Sequence, residues 1–363
     1  MDADGGRHAA HPGTAARRVA RPPCSDAGCD PRRATGKTLK WGVVATGSIA
    51  RTVADQLLQL EDAKVHAVAS RDAGRARAFA ERLGAVNAYG DTGGVPGYVR
   101  LAEDADVDVV YVATPNAQHH SVARKLLEAG KHVLLEKTFT LTGAEAEDLA
   151  TIARRRGRFL MEAVWTRFLP SYQAVLDVVS GGRIGDVRWI QADLGFASPF
   201  DATSRLWNRD AGGGALLDLH VYAWTWTFGV LGFPHRLAAQ STTAPNGVDA
   251  LTSLQLGFGD GAHAQLLGTL VSQATRTVTI AGTSGLLRTD APLPNPKGFT
   301  IVDAGGTRHV ETDAGAGHVH QLREVTRCIQ EGRTESPTLP VSDSVAMMRW
   351  FDEARRQIGL SFA

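Results

Sequence analysis

Residues 40–50 read Lys-Trp-Gly-Val-Val-Ala-Thr-Gly-Ser-Ile-Ala, and the fold turns on them. Lys40–Ala45 is a short apolar run of the kind that forms a strand buried on both faces. Thr46-Gly47-Ser48 is a turn, and from Ile49 to Leu60 apolar residues recur at helical spacing. A buried strand that passes through a glycine turn into a helix is where backbone N–H groups and a helix N-terminus cradle a dinucleotide pyrophosphate. Gly47 lets the backbone approach the phosphates, the N–H groups of Ser48 and Ile49 with Thr46 line the turn, and Ala50 permits close helix–strand packing. Ala45 stands where the usual Gly-x-Gly-x-x-Gly/Ala pattern has its first glycine.

Outward from this turn the alternation continues. Strands are predicted at Lys64–Ala69, Ala88-Tyr89, Val107–Ala113, His132–Glu136 and Arg158–Glu162. Helices are predicted at Ala73–Leu83, Gln118–Ala129, where Gly130 stops the helix, and Thr142–Arg156. Strands alternating with helices of this length imply right-handed crossovers and an α/β, doubly wound parallel sheet of the Rossmann type. After Pro170 the rhythm changes. A helix at Ser171–Val179, a strand at Val187–Phe196 and a polar, aromatic connection lead to Gly212-Gly213-Gly214 and a helix through Leu231. The runs Arg236–Ser241, Leu251–Phe258, Ala262–Leu270, Arg276–Ala281 and Gly285–Thr289 follow without helices between them. They imply an α+β region with an open, mostly antiparallel sheet. Helices at Gly317–Glu331 and Ser342–Ile358 close the chain. The expected division is a disordered tail at 1–37, a dinucleotide-binding domain at 38–163 and a substrate and oligomerisation domain at 164–363.

Composition narrows the function classes. Among 363 residues, 43% are hydrophobic and 21% charged, and the net charge of +1 offers no basic groove for nucleic acid. Cys24, Cys29 and Cys328 are too few for a disulfide framework or a zinc site, so no metal is expected. No apolar run reaches the roughly 18–20 residues of a membrane span. The first 37 residues have almost no large apolar side chains to offset the entropy of ordering. A cytoplasmic protein is the expectation.

Three further segments face the same crevice, because ligands bind outside the carboxyl ends of parallel strands. Ser70-Arg71 ends the second strand, where an acidic residue would accept from the ribose of NAD. A hydroxyl and a guanidinium there suit the 2′-phosphate of NADP, while Asp72 keeps NAD as the alternative. Thr114-Pro115-Asn116-Ala117-Gln118-His119-His120 follows the Val107–Ala113 strand. Asn116 is placed for the nicotinamide ribose and His119 for cofactor or substrate, whereas His120 reads as a capping or exposed residue. Glu136-Lys137-Thr138 ends the next strand, with Glu136 ordering the ribose or holding Lys137. Partial desolvation of Lys137 would lower its pKa and suit it to proton transfer with a reacting oxygen.

Glu136-Lys137-Thr138 resembles the Glu-Lys-Pro signature of the glucose-fructose oxidoreductase, inositol dehydrogenase and rhizopine-catabolism (Gfo/Idh/MocA) family, with Thr138 in place of proline. Phe159-Leu160-Met161-Glu162-Ala163-Val164-Trp165-Thr166-Arg167-Phe168 and Gly212-Gly213-Gly214-Ala215-Leu216-Leu217-Asp218-Leu219-His220-Val221-Tyr222 are similar to segments of its trans-1,2-dihydrobenzene-1,2-diol dehydrogenase branch. The resemblance runs from about Leu39 to the end. It implies that Lys137 and Tyr222 form the acid/base pair, with Asp218 one helical turn before Tyr222 orienting the lysine or a substrate hydroxyl. A phenol beside a cation would ionise more easily. His220, where relatives carry glycine, would narrow the pocket or add a polar contact. Trp165 would wall the nicotinamide pocket and Arg167 reach a phosphate or carboxylate, the alternative for both being core or interface. Trp207 would add aromatic surface for the substrate. The implied activity is NADP-dependent hydride transfer to or from a cyclic diol or sugar-like polyol. A sugar or inositol dehydrogenase or ketosugar reductase is the first alternative, and a non-catalytic NADP-sensing regulator the second. A homodimer or homotetramer is implied by analogy.

Overall fold

A computed structural model describes residues 36–313 and 315–360. Most of the tail expected at 1–37, with Cys24 and Cys29, lies outside the described residues. The first half runs β1 (Leu39–Val44), α1 (Ser48–Leu57), β2 (Ala63–Ala69), α2 (Ala73–Leu83), β3 (Asn87–Tyr89), α3 (Gly97–Glu103), β4 (Val109–Val112), α4 (His119–Glu128), β5 (His132–Leu135), α5 (Gly143–Arg156) and β6 (Leu160–Glu162). These strands pair in parallel in the order β3-β2-β1-β4-β5-β6. Every residue of β4 is buried, as are Trp41–Val44 of β1 and Val133–Leu135 of β5, which is why these strands read as unbroken apolar runs. Strand order reverses between β1 and β4, so a crevice opens above their carboxyl ends. Caps fix the helices: the Asp72 side chain accepts from the Arg75 N–H at 2.7 Å to start α2, and Thr142 with Glu145 forms a capping box on α5.

The second half runs α6 (Pro170–Ser180), β7 (Val187–Gly195), α7 (Ala215–Leu231), β8 (Arg236–Thr243), β9 (Asp249–Gly257), β10 (His263–Thr269), β11 (Val278–Gly282), β12 (Gly285–Thr289), β13 (Gly298–Asp303), β14 (Gly306–Glu311), α8 (Val319–Gln330) and α9 (Val341–Ile358). Its eight strands are ordered β14-β13-β12-β11-β7-β10-β9-β8, antiparallel except where β7 meets β10. α7 packs on β7, β9 and β10. Its residues from Ala215 to Thr227 are all buried, as expected of a helix apolar around its whole circumference. Among the described residues no helix is long and apolar enough to cross a membrane.

Three elements escaped the sequence pattern. α3 spans only seven residues and opens on Gly97, where a Cβ would lie 2.5 Å from the Tyr89 carbonyl oxygen. β13 and β14 follow the Pro-rich stretch 291–298, whose turn residues mask the strand signal.

Ala45, at the end of β1, has φ 91°, a conformation that favours glycine. Replacing Ala45 with Gly removes this steric cost and adds chain entropy to the unfolded state, for a net gain of ~1 kcal/mol. The urea midpoint of Ala45→Gly should rise; a lower midpoint would show that Ala45 is unstrained.

Candidate active site

The site is assembled from the end of β5 and the first turns of α7. The Asp249 carboxylate on β9 accepts from the Leu216 N–H at 2.6 Å and the Thr252 hydroxyl at 2.8 Å, capping α7. Only glycine fits at 214, with φ 127°, because a Cβ there would lie 2.1 Å from Asp249 Oδ1. Asn116 Nδ2 donates to the Gly212 carbonyl at 3.2 Å, tying the loop after β4 to the turn before α7. Asp218 and Tyr222, four residues apart, therefore share one face of a helix anchored on both sides.

Lys137 meets that face. Its ammonium donates to the Asp218 carbonyl at 3.0 Å and to Asp218 Oδ1 at 3.2 Å, and lies 5.1 Å from the centre of the Tyr222 ring. The Tyr222 hydroxyl accepts from Trp165 Nε1 at 3.4 Å, and the Trp165 ring packs on His318 with centroids 4.2 Å apart. Arg205, from the connection between β7 and α7, donates to Asp218 Oδ1 at 2.6 Å and Oδ2 at 3.4 Å.

The electrostatics correct two expectations. Burial disfavours the charge on Lys137, but Asp218 and Tyr222 outweigh it and the group is pushed up to about 12 rather than lowered. For the Tyr222 phenol, burial outweighs the lowering effect of Lys137, so its pKa rises instead of falling. The Asp218 carboxyl, despite burial, is held down at about 2 by Lys137 and Arg205.

Behind the lysine stand two buried carboxyls. Glu136 accepts from the Tyr111 hydroxyl at 2.6 Å and from the Lys137 N–H at 3.1 Å, so it holds the lysine's backbone. Burial raises its pKa. Glu162 accepts from the Phe139 N–H at 2.9 Å and from the Ser344 hydroxyl of α9 at 2.6 Å. Burial pushes it up to about 7. The Lys137–Thr138 peptide is cis, and the Thr138 hydroxyl donates to the Leu217 carbonyl.

The turn after β1 fits a dinucleotide. A Cβ on Gly47 would meet nothing within 4 Å, and the N-terminus of α1 at Ser48-Ile49 has no side-chain cap and no acidic residue in its first turn. Thr46 lies in this turn. Thr114 Oγ1, at the end of β4, is buried without a partner. Ser70 and the exposed Arg71 follow β2, while Asp72 is occupied as the cap of α2.

Three sequence assignments, His119, Trp207 and His220, are corrected by position, and Arg167 takes the carboxylate and interface alternative. The His119 ring nitrogens lie 2.9 Å from the carbonyl oxygens of Thr138 and Thr114, so the ring is a buried brace. Arg167 pairs with Asp343 at 3.1 Å and with the Thr338 carbonyl at 3.1 Å, which directs it to the stretch around the start of α9. Trp207 is fully buried, its Nε1 3.4 Å from Ser198 Oγ and its ring against Phe200. His220 lies on the other side of α7 from Asp218 and Tyr222, its Nε2 2.9 Å from the Thr252 carbonyl, and burial lowers it to about 4. His120 contacts Asp148 of α5 at 2.8 Å. Arg205, Glu162 and Asp249 were missed; no spacing in the sequence links Arg205 or Asp249 to α7. Among the described residues one group, His66, Asp104 and Asp106, brings possible metal ligands within 4.8 Å of one another. Asp104 already accepts from Asn87 and Tyr89, and Asp106 pairs with Lys40.

Comparison with known proteins places the chain in a family. Residues 39–164 match the oxidoreductase family with an NAD-binding Rossmann fold (GFO_IDH_MocA), and residues 172–288 match the GFO/IDH/MocA C-terminal domain. A trans-1,2-dihydrobenzene-1,2-diol dehydrogenase of Bos taurus is 33% identical, covering 89% of this chain and 98% of the relative. A D-xylose 1-dehydrogenase (NADP(+)) of Hypocrea jecorina is 34% identical over 90% of this chain and 93% of its own. A 3-ketoreductase of Actinomadura kijaniata, crystallised with NADP and TDP-benzene, superposes with a TM-score of 0.81 at 28% identity, covering 89% of this chain and 98% of that one.

Glu162 makes stability depend on pH. Its folded pKa of about 7 exceeds the ordinary 4.5, so between these values the folded state keeps a proton that the unfolded chain releases. That contribution is full below pH 4.5 and is lost as pH rises through 7, up to ~3 kcal/mol. Urea unfolding of Glu162→Gln should show a flatter pH dependence in this window than the native chain; parallel curves would exclude a proton on Glu162.

Proposed function

The chain belongs to the GFO/IDH/MocA oxidoreductase family, and from that premise we propose that it interconverts a hydroxyl and a carbonyl on a cyclic diol or sugar-like polyol, using NADP. It is an NAD(P)-dependent oxidoreductase acting on CH–OH groups. The observation that carries the proposal is the Lys137 ammonium fixed by Asp218 above the face of Tyr222, beside Trp165.

Bound in the crevice, the dinucleotide would supply the two-electron hydride couple for interconverting the hydroxyl and the carbonyl. Thr46, Gly47, Ser48 and Ile49 would hold its pyrophosphate, Thr114 the ribose side, and Ser70 with Arg71 the 2′-phosphate. The Asp72 carboxylate accepts from the Arg75 N–H to cap α2, which supports NADP over NAD. In reduction Lys137 or Tyr222 gives a proton to the oxygen that becomes the hydroxyl, in oxidation the same group, deprotonated, takes that proton back, and Asp218 aims the ammonium. Trp165 closes the site beside Tyr222 and limits water at the reacting carbon.

Residues 38–163 would serve the dinucleotide and 164–363 the substrate. An aromatic wall suits a dihydrodiol ring or a sugar face, and likeness to a D-xylose dehydrogenase supports the sugar reading as the second choice. We also propose a homodimer or homotetramer, supported by the exposed apolar pair Leu286 and Val302, opposite one another on β12 and β13.

With a panel of trans-dihydrodiols, aldoses and inositols, Lys137→Met and Tyr222→Phe should each cut kcat by about 100-fold or more while NADPH fluorescence still reports binding. Full turnover in both variants would remove these residues from the chemistry. Arg71→Ala should weaken NADPH binding by roughly tenfold or more and leave NADH unchanged; equal losses for both dinucleotides would place Arg71 away from the 2′-phosphate.

A further inference from the structure

We propose that Arg205 is a positioning residue that limits the proton affinity of Lys137 by sharing Asp218 with it. The inference rests on the reading of Lys137 as the proton-handling group and goes beyond it, since nothing in the sequence pattern or the resemblance assigned Arg205 a role.

The geometry is a competition for one oxygen. Asp218 Oδ1 receives Arg205 at 2.6 Å and Lys137 at 3.2 Å, and Oδ2 receives the second Arg205 nitrogen at 3.4 Å. An unshared ammonium–carboxylate contact closes to about 2.7–2.9 Å. The lysine contact is long, and the arginine contact is short. The Asp218 side chain is 8% exposed and that of Arg205 60%, so the guanidinium grips a buried carboxylate from the solvent side. A guanidinium does not lose its proton in proteins, so its charge beside the ammonium is permanent. Without it, the whole carboxylate would turn to Lys137 and fix the proton there.

The other groups facing Lys137 do not do this. Asp218 and Tyr222 on α7, Glu136 at the end of β5 and Glu162 on β6 are neutral or anionic and favour the ammonium or leave it unchanged. His119 on α4 is buried, which disfavours its cationic form. Arg205 opposes Asp218, Tyr222 and Glu136 in setting the Lys137 pKa.

The test needs no substrate. In the full-length protein at pH 9, competitive acetylation by acetic anhydride, followed by mass spectrometry, reports the neutral fraction of Lys137. Arg205→Met and Arg205→Gln should slow acetylation of Lys137 about tenfold, the equivalent of one pKa unit, while Arg205→Lys stays close to the native rate. A merely structural role would open the site and speed the reaction, so an unchanged or faster rate in both neutral variants overturns the proposal. If the native protein oxidises no diol or sugar, the functional reading fails while the acetylation result still decides the role of Arg205.

Discussion

A buried ion pair joins the two sheets of this molecule. Lys137 leaves the end of β5 in the parallel sheet, and Asp218 lies on the helix that covers the antiparallel one. Removing both charges from water is expensive, and such a pair persists only when its geometry is fixed and its remaining donors and acceptors are satisfied. The surroundings meet that demand. Glu136 and Glu162 hold the chain on either side of Lys137, and the Thr138 hydroxyl reaches across to Leu217. On the other side Asp249 caps α7, and Gly214 leaves room for that carboxylate. Most of the unusual residues near the site follow from keeping one ammonium and one carboxylate in register.

The parallel sheet was legible because burial on both faces leaves strands no room for polar residues. β1, β2, β4 and β5 stand out against the helices, and the glycine turn after β1 gives the direction of the crevice. The antiparallel half was legible in kind but incomplete. β13 buries three of its six residues without strict alternation and β14 buries none, too weak a signal beside the prolines that precede them.

Within the site, the strand-end lysine was readable from position, whereas Asp218 and Tyr222 came from resemblance. His220 shows a signal that was present and unused. At about 100° per residue it points roughly 200° away from Asp218, toward Gly268, where a Cβ would lie 2.6 Å from its ring. Arg205 carried no such signal, because its meeting with Asp218 is made by the path of the connection between β7 and α7. The pKa direction of Lys137 was misjudged because burial was weighed without the carboxylate that faces the lysine, and that of Tyr222 because the cation was weighed without burial.

The position of α9 bears on the order in which a ribosome can complete this protein. Asp352 accepts from the Gly143 N–H at 2.8 Å, Arg349 reaches Glu147 at 2.7 Å, and the Thr334 carbonyl accepts from the Leu160 N–H at 3.1 Å. The same helix sends Gln357 to Ala239 and Leu237 on the edge strand β8. The chain thus makes the flank of its first sheet well before α9, and until α9 is in place the Gly143 and Ala239 N–H groups lack these partners.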